Sequence, residues 1–118
     1  MATVHHVKNK DLLAELIHCK DVSVLCTPEL LEMFSLISEK YSYKVSVNSE
    51  DDRKDVIQSG IIDAWQYSFN FDPSKSTNAF AYITQIIKNG QYKAYRKLYP
   101  ERGKNWLRIS ITNNTYSL

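Results

Sequence analysis

A stripe of apolar and small residues recurs every three or four positions between Phe80 and Leu98, and it constrains the fold more than any other feature of the sequence. This is the spacing of one core-facing side of an α-helix, which has about 3.6 residues per turn. It predicts a helix over about 78–98, ended by Pro100 because proline cannot continue a helix. The stripe comprises Phe80, Ile83, Ile87, Gly90, Ala94 and Leu98.

Start signals predict two more long helices. Thr27 is a capping residue followed by Pro28 at the first helical position, and this helix should run to about Tyr41. Ser49 is a second capping residue, followed by three acids that favour the positive end of the helix dipole. That helix should reach about Phe69.

Shorter segments accompany these helices. Residues 11–19 predict a short amphipathic helix that Asp11 can cap, and residues 71–77 predict a turn because they combine Asp-Pro with several hydroxyl groups. Only three Gly and three Pro occur, which favours helices over a loop-rich architecture. The sequence therefore predicts an all-α fold, a compact bundle of three to four helices.

We expect one domain, since 118 residues leave no room for a second core. Residues 1–27 should form an N-terminal segment with the short helix, and residues 28–100 the helical domain. Residues 101–118 should form a short basic C-terminal tail, for which the sequence does not decide between order and disorder.

Charge is divided unevenly along the chain. Residues 1–72 hold seven Lys/Arg and twelve Asp/Glu, whereas residues 73–118 hold eight Lys/Arg and one Asp/Glu. A basic part joined to an acidic part suggests two different partners, one of them a polyanion. Chance clustering of solvated charges is the alternative.

Membrane and secretory functions are disfavoured. The apolar runs are too short to span a membrane, and residues 1–10 lack the apolar core of a signal peptide. Two cysteines, Cys19 and Cys26, cannot make a disulfide framework or a Cys-rich zinc site. The expected location is therefore a reducing cytoplasm, with no membrane partner.

An enzyme is not expected either. His18 adjoins Cys19, but neighbours in a helix do not face each other, so a buried Cys19 is the better interpretation. No predicted helix pairs a histidine with carboxylates at metal-ligand spacing. We predict no catalytic residue, metal or cofactor.

The predicted helix over 50–69 has an unusual outer side. Ile62 and Trp65 lie there among polar residues. Either the bundle extends far enough to bury them, or they anchor a protein partner, since apolar anchors ringed by polar groups are typical of binding hot spots. The core side comprises Ile57, Gly60, Ile61, Ala64 and Ser68. The polar residues of the outer side are Asp55, Gln58, Ser59, Asp63 and Gln66.

The outer side of the predicted helix over 78–98 mixes aromatic rings, amides and cations without an acid. Rings can stack on bases, amides can contact base edges and cations can contact phosphates, so the mixture is typical of single-stranded nucleic-acid binding. A solvated basic helix with tyrosines lying on its surface is the alternative. The residues are Tyr82, Gln85, Asn89, Tyr92, Lys93 and Arg96, with Lys88, Lys97 and Tyr99 at the margins.

Three segments resemble region 2 of bacterial sigma-70 family factors: 55–65 (DVIQSGIIDAW), 71–75 (FDPSK) and 80–83 (FAYI). They follow one another in the family's order and without a gap. Residues 70–72 (NFD) and 81–85 (AYITQ) further resemble the late-gene sigma factors of T-even-like bacteriophages. The resemblance covers about 70 of the 118 residues and implies a sigma region 2 fold.

The resemblance implies a role for each outer side. In the family, the first helix docks on the clamp helices of the RNA polymerase largest subunit. The matching positions include Asp55, Gln58, Ser59, Ile61 and Trp65, to which the outer side adds Ile62 and Gln66.

In the family, the second helix binds and helps to melt the −10 promoter element, and bases of the non-template strand flip onto an aromatic residue that corresponds to Tyr82 here. Gln85, Asn89, Tyr92 and Lys93 fall where other members contact the −10 element. The expected DNA-binding set is completed by Arg96 and Lys97.

The chain also departs from the family pattern. Gln85 and Ile86 stand where primary sigma factors have a pair of tryptophans, so the promoter preference should differ. Ser59 stands where the family usually has an acid. We expect no helix-turn-helix that reads the −35 element. Late phage factors of this type need a co-activator and a DNA-loaded sliding clamp, which are therefore candidate partners in the host cell.

Two functional hypotheses follow. The first is a phage-encoded late sigma factor that binds polymerase and directs −10 recognition and melting. The second is a sigma-like accessory regulator that binds polymerase or a sliding clamp without reading promoter sequence.

Overall fold

The computed structural model describes residues 7–101, so the predictions for the first six residues and for the tail from residue 102 lie outside the described part. The described chain contains four α-helices and no strand, which confirms the predicted all-α bundle. The helices are α1 (Asn9–Asp21), α2 (Pro28–Ser42), α3 (Glu50–Tyr67) and α4 (Ala79–Leu98). A 3-10 turn, Ser68–Asn70, opens the segment 68–78 that joins α3 to α4, called here the connecting segment.

Side-chain caps fix where the long helices begin. The Thr27 hydroxyl accepts the Leu30 N–H at 3.2 Å, and the Ser49 hydroxyl accepts the Asp52 N–H at 3.1 Å. Each bond satisfies a backbone donor that has no partner inside the helix. Both predicted starts, at Pro28 and Glu50, are confirmed.

The start predicted for α1 is wrong by two residues. The helix begins at Asn9, and Lys8 in the capping position makes no side-chain cap. Asp11 lies inside the first turn, where its charge still favours the helix dipole, but it does not cap the helix.

All four helices and the connecting segment contribute to one main core. Its largest fully buried side chains include Leu12 of α1, Leu30 and Phe34 of α2, and Ile83 and Ile87 of α4. Burial of each such side chain contributes about 1.5–3 kcal/mol relative to exposure. A second small cluster of Val45, Val56 and Tyr95 closes the end of the bundle where α3 begins.

Two glycines allow α3 to pack at very short range, against α2 as well as α4. A Cβ atom on Gly60 would lie 2.6 Å from the Ser38 hydroxyl oxygen, and one on Gly90 would lie 2.7 Å from the Ser59 carbonyl oxygen. Both distances are shorter than any normal contact. At Gly90 the obstacle is backbone, so a side chain there would force α3 and α4 apart. At Gly60 the obstacle is the Ser38 side chain, which would have to move.

A buried polar network crosses the same contact. The Gln91 amide donates to the Ser38 carbonyl at 2.7 Å and to its hydroxyl at 2.8 Å, and that hydroxyl donates to the Ile57 carbonyl at 2.8 Å. The network joins α4, α2 and α3, and it satisfies polar groups that would be costly to bury alone.

The predicted core sides are rotated slightly from the observed ones. In α4, Ile83, Ile87 and Gly90 are buried as predicted, and the other stripe residues are half-buried because Gln91 and Tyr95 take the interior. In α3, Gly60 and Ala64 are buried as predicted, and so is Ser68 directly after the helix. Ile57 and Ile61 are only half-buried, whereas Val56 and Asp63 are buried. A polar side chain with a partner on another helix can thus displace an apolar one.

None of the helices found between residues 7 and 101 is both long and apolar enough to cross a bilayer.

Candidate functional site

The outer side of α3 presents two large apolar side chains to solvent. Ile62 is 45% exposed and Trp65 is 44% exposed, so the bundle does not bury them. Asp55, Gln58 and Gln66 are exposed on the same helix. We call these five residues the α3 face. An exposed tryptophan beside an isoleucine within a polar rim is suited to burying apolar area against a protein.

Two polar residues that were predicted for this side point elsewhere. Asp63 is buried, with its carboxylate 3.0 Å from the Lys93 ammonium of α4. The Ser59 hydroxyl donates to the Gly90 carbonyl at 2.8 Å. Asp63 therefore does not belong to the outer side as predicted, and Ser59 is engaged with α4.

Ile61, the remaining residue expected to contact polymerase, is half-buried against the main core. Of the seven residues expected to bind polymerase, the structure thus gathers five on one exposed surface and directs Ser59 and Ile61 inward.

Tyr82 lies in the first turn of α4, where 36% of its surface is exposed. Its ring packs against Phe71 of the connecting segment, with centroids 5.1 Å apart and planes inclined by 58°. Phe71 itself is buried, so one side of the Tyr82 ring is supported from the core while the exposed part stays open. A ring held in this way can stack on an unpaired base without first being ordered.

Polar and charged groups continue from Tyr82 along the outer side of α4, and several pair with one another. The Gln85 side-chain amide donates to the side-chain oxygen Oδ1 of Asn89 at 3.0 Å, one helical turn away. The Arg96 guanidinium lies 5.4 Å from the Tyr92 ring centroid, a cation–π distance. Together with Lys93 and Lys97, these residues and Tyr82 are called the α4 face.

Lys93 joins the two helices electrostatically. Its side chain is 62% exposed, whereas the Asp63 side chain that it pairs with is only 10% exposed. The carboxylate is thus fixed inside, and the cation remains at the surface of the α4 face. No sequence pattern predicts this pair, because the two residues lie on different helices and 30 positions apart.

A tight turn in the connecting segment precedes Tyr82. The Asp72 carboxylate accepts the Ser74 hydroxyl at 2.7 Å and the Ser74 N–H at 3.0 Å. These hydrogen bonds, with smaller contributions from the Lys75 and Lys20 charges, lower the pKa of Asp72 below its usual 3.8. The predicted turn over 71–77 is confirmed, and its carboxylate stays ionised near neutral pH.

The cysteines are not arranged for chemistry. Cys19 is buried, as predicted, and burial raises the pKa of Cys26 to about 11, with further increases from Cys19 and Glu15. A thiol with this pKa carries almost no thiolate at neutral pH. Among the described residues, no three His, Cys, Asp or Glu side chains form a group that could hold a metal ion.

A helical domain with one apolar outward face and one aromatic and cationic outward face is suited to binding two different macromolecules. The sigma-70 region 2 family model matches residues 38–101, which is more than half of the chain. The chain therefore belongs to the sigma-70 region 2 family, whose domain is a non-enzymatic transcription-factor domain that binds bacterial RNA polymerase and promoter DNA. No curated protein and no solved structure matches the chain significantly.

The match begins near the end of α2 and includes α3, the connecting segment and α4. Both faces therefore lie inside it, whereas α1 precedes it. The sequence analysis assigned no role to Phe71, although it lies in the FDPSK motif. A motif alone does not reveal which ring packs against Tyr82.

Proposed function

We propose that this protein is a phage-encoded late sigma factor that acts in the cytoplasm of a bacterial host. The α3 face docks on the clamp helices of the RNA polymerase largest subunit, and the α4 face captures the unpaired non-template strand of the −10 element. The observation that carries the proposal is the outward position of Trp65 on α3 and Tyr82 on α4 in a domain of this family.

Docking through the α3 face draws its free energy from apolar burial. Nearly half of the surface of Trp65 and of Ile62 is already exposed, so neither side chain has to move before it can contact a partner. Asp55 in the second turn of α3 adds a negative charge that can pair with a basic residue on the coiled coil. Apolar anchors within a polar rim combine affinity with a fixed orientation.

Strand capture draws on stacking and on phosphate contacts. A base stacked on Tyr82 contributes about 1–3 kcal/mol. The Gln85 and Asn89 amides can contact base edges, and Lys93, Arg96 and Lys97 can contact the backbone. The protein does not break bonds: it lowers the free energy of the melted state by binding it, so melting is coupled to occupation of this face.

The phage origin and the late role rest on the resemblance of residues 70–72 and 81–85 to late-gene sigma factors. A co-activator and a DNA-loaded sliding clamp belong to the proposal as further partners on the same grounds.

Run-off transcription tests the proposal directly. Core RNA polymerase of the host is supplied with the full chain and a template that carries an A/T-rich −10 element, and a second template has the same element replaced by G/C pairs. We expect a discrete transcript only when the chain is present, and only from the A/T-rich template. Equal transcript from both templates, or none from either, would contradict promoter reading.

One observation favours the accessory-regulator alternative. Several groups that are expected to contact the strand are already paired with one another on the α4 face: Gln85 with Asn89, and Arg96 with Tyr92. A regulator that binds polymerase or a sliding clamp without reading promoter sequence would leave these pairs intact. It predicts polymerase binding without a sequence-dependent footprint, which DNA footprinting in the same reactions distinguishes.

A further inference from the structure

Helix α1 lies before the family match, yet it holds both ends of the connecting segment. At the first end, the Lys20 ammonium donates to the Phe69 carbonyl at 2.5 Å and lies 4.3 Å from the Phe69 ring centroid. One side chain thus fixes both the backbone and the ring at the point where α3 gives way to the segment.

Asn9 makes an equivalent attachment at the second end. Its amide nitrogen donates to the Thr77 carbonyl at 3.0 Å, and its amide oxygen accepts the Phe80 N–H at 2.8 Å. Phe80 is the second residue of α4, so Asn9 caps that helix from outside, beside Asn78, which accepts the Ala81 N–H at 3.1 Å. The nitrogen and the oxygen of the Asn9 side-chain amide thus both form hydrogen bonds where α4 begins.

The two attachments belong to one rigid element. Asn9 and Lys20 stand at opposite ends of α1, about 16 Å apart along a helix that rises about 1.5 Å per residue. Leu12, Leu16 and Cys19 anchor the helix between them in the main core. The separation of the two ends of the segment is therefore set by a helix that is anchored in the main core along one side.

Phe71 carries this constraint to Tyr82. It lies between the two attachments, is buried, and packs against the Tyr82 ring at 5.1 Å. A shift of the segment would move Phe71, and a shift at Phe80 would move the first turn of α4, in which Tyr82 lies. Either movement displaces the exposed ring.

We propose that Asn9 and Lys20 are positioning residues for strand capture, which act by fixing the connecting segment and with it the Tyr82 ring. The inference rests on the proposed function of Tyr82. It extends the functional unit to a helix outside the family match, and neither positioning residue contacts the strand.

The test uses the full chain with the substitutions Asn9→Ala and Lys20→Met, singly and together. Lys10→Met is the matched control, because it removes the same charge from an exposed position of α1. Lys20→Arg is the conservative variant, since it keeps a donor and a cation at the Phe69 carbonyl and ring. Tyr82→Ala is the reference for complete loss of the stacking ring.

Three measurements are made on each variant. Fluorescence of 2-aminopurine in the −10 non-template strand reports strand capture with polymerase, titration reports polymerase affinity, and the ring-proton NMR shifts of Tyr82 report its position in the free protein. We expect the double variant to capture the strand about three- to tenfold more weakly and to shift the Tyr82 resonances. Polymerase affinity and the Trp65 indole resonance should stay unchanged, Lys10→Met should match the native chain, and Lys20→Arg should restore capture lost in Lys20→Met.

The outcomes separate the two proposals. If Tyr82→Ala weakens capture but the double variant neither weakens it nor moves the Tyr82 resonances, the positioning role is wrong and the proposed function stands. If Tyr82→Ala leaves capture unchanged, the proposed function is wrong, and the positioning role for capture is wrong with it, whatever the NMR shifts show. Equal loss of polymerase affinity and capture in the double variant would indicate general destabilisation and would also overturn the positioning role.

Discussion

The α3 face and the α4 face lie on neighbouring helices but are built in opposite ways. The α3 face exposes its apolar anchors, Ile62 and Trp65, to nearly half of their surface. The α4 face supports its groups from within the protein, as Phe71 does for Tyr82 and Asp63 does for Lys93. One face offers area to be buried, and the other offers groups whose positions are already set.

The difference fits two kinds of partner. A folded protein partner has a rigid surface of its own. An exposed apolar side chain that binds to it contributes to the binding free energy mainly because it is removed from water. An unpaired strand is flexible, and a preformed arrangement lowers the cost of ordering it. Substitutions that affect one face, both faces or neither test this difference.

The largest effect is expected for Trp65→Ala. Loss of the main apolar anchor should weaken polymerase binding by at least about 2 kcal/mol, roughly thirtyfold, while single-strand binding is retained. Tyr67→Ala is a matched control, because Tyr67 is also an exposed aromatic residue of α3 but projects about 200° further around the helix. Equal losses for both variants in a polymerase titration would show that the α3 face has no special role.

Gly90→Ala should impair both faces together. Alanine normally stabilises a helix relative to glycine, but here its Cβ would meet the Ser59 carbonyl, which belongs to the backbone and cannot turn away. We expect the free energy of unfolding to fall by about 1–3 kcal/mol in chemical denaturation. Asn89→Ala, at the exposed neighbouring position, should change it by less than about 0.5 kcal/mol. An unchanged or higher stability for Gly90→Ala would contradict the close helix contact.

Tyr82→Ala should impair the α4 face alone. Removal of a stacking ring costs about 1–3 kcal/mol per base, which is roughly a five- to 150-fold loss of open complex. Tyr82→Phe keeps the ring and should retain most of the activity. Permanganate footprinting of the melted strand measures this, with polymerase affinity determined in parallel; parallel loss of both activities would contradict separate roles for the faces.

A smaller effect is expected for Asp55→Lys. Asp55 is exposed at the rim of the α3 face, where a single charge pair contributes about 0.2–1 kcal/mol. Polymerase affinity should fall at low salt, and the difference from the native chain should shrink as salt screens the charges. A difference that does not depend on salt would argue against an electrostatic contact at this position.

The smallest effect concerns Asp72, which belongs to neither face. Its pKa is lowered in the folded protein, so the stability that it contributes is present above about pH 4 and is lost as the pH falls through the folded pKa. Ser74→Ala removes the hydroxyl that donates to the Asp72 carboxylate. The pKa of Asp72 should therefore move back toward 3.8. NMR titration of the Asp72 carboxyl carbon measures both values, and identical titrations would refute the assigned cause.

Features that depend on neighbouring residues in the sequence were predictable, and features that depend on distant ones were not. The starts of α2 and α3 follow from Thr27 and Ser49, whose caps act within three residues. The burial of Asp63 and Gln91 depends on partners in other helices, Lys93 and Ser38, which periodicity cannot identify. The 3.6-residue spacing fixes only the direction of a side chain around its own helix, so Asp63 was predicted for the outer side and Gln91 was left out of the core stripe.

The features of the candidate site fall into the same two groups, those that the sequence indicates and those that depend on distant residues. The exposure of Trp65 was one of two alternatives that the sequence left open, because its polar neighbours are consistent with both. Family resemblance identified the region that contains Tyr82, but the support from Phe71 and the attachments at Asn9 and Lys20 needed three-dimensional coordinates. Asn9 and Thr77 are 68 residues apart, and no local pattern connects them.

The glycine contacts between α3 and α4 have one further consequence. Because Gly90 has no side chain, the backbone of α4 approaches the Ser59 carbonyl of α3 directly. Under the proposed function, this backbone contact helps to set the distance between the α3 face and the α4 face. A residue that touches neither polymerase nor DNA then influences where a captured base lies relative to the polymerase.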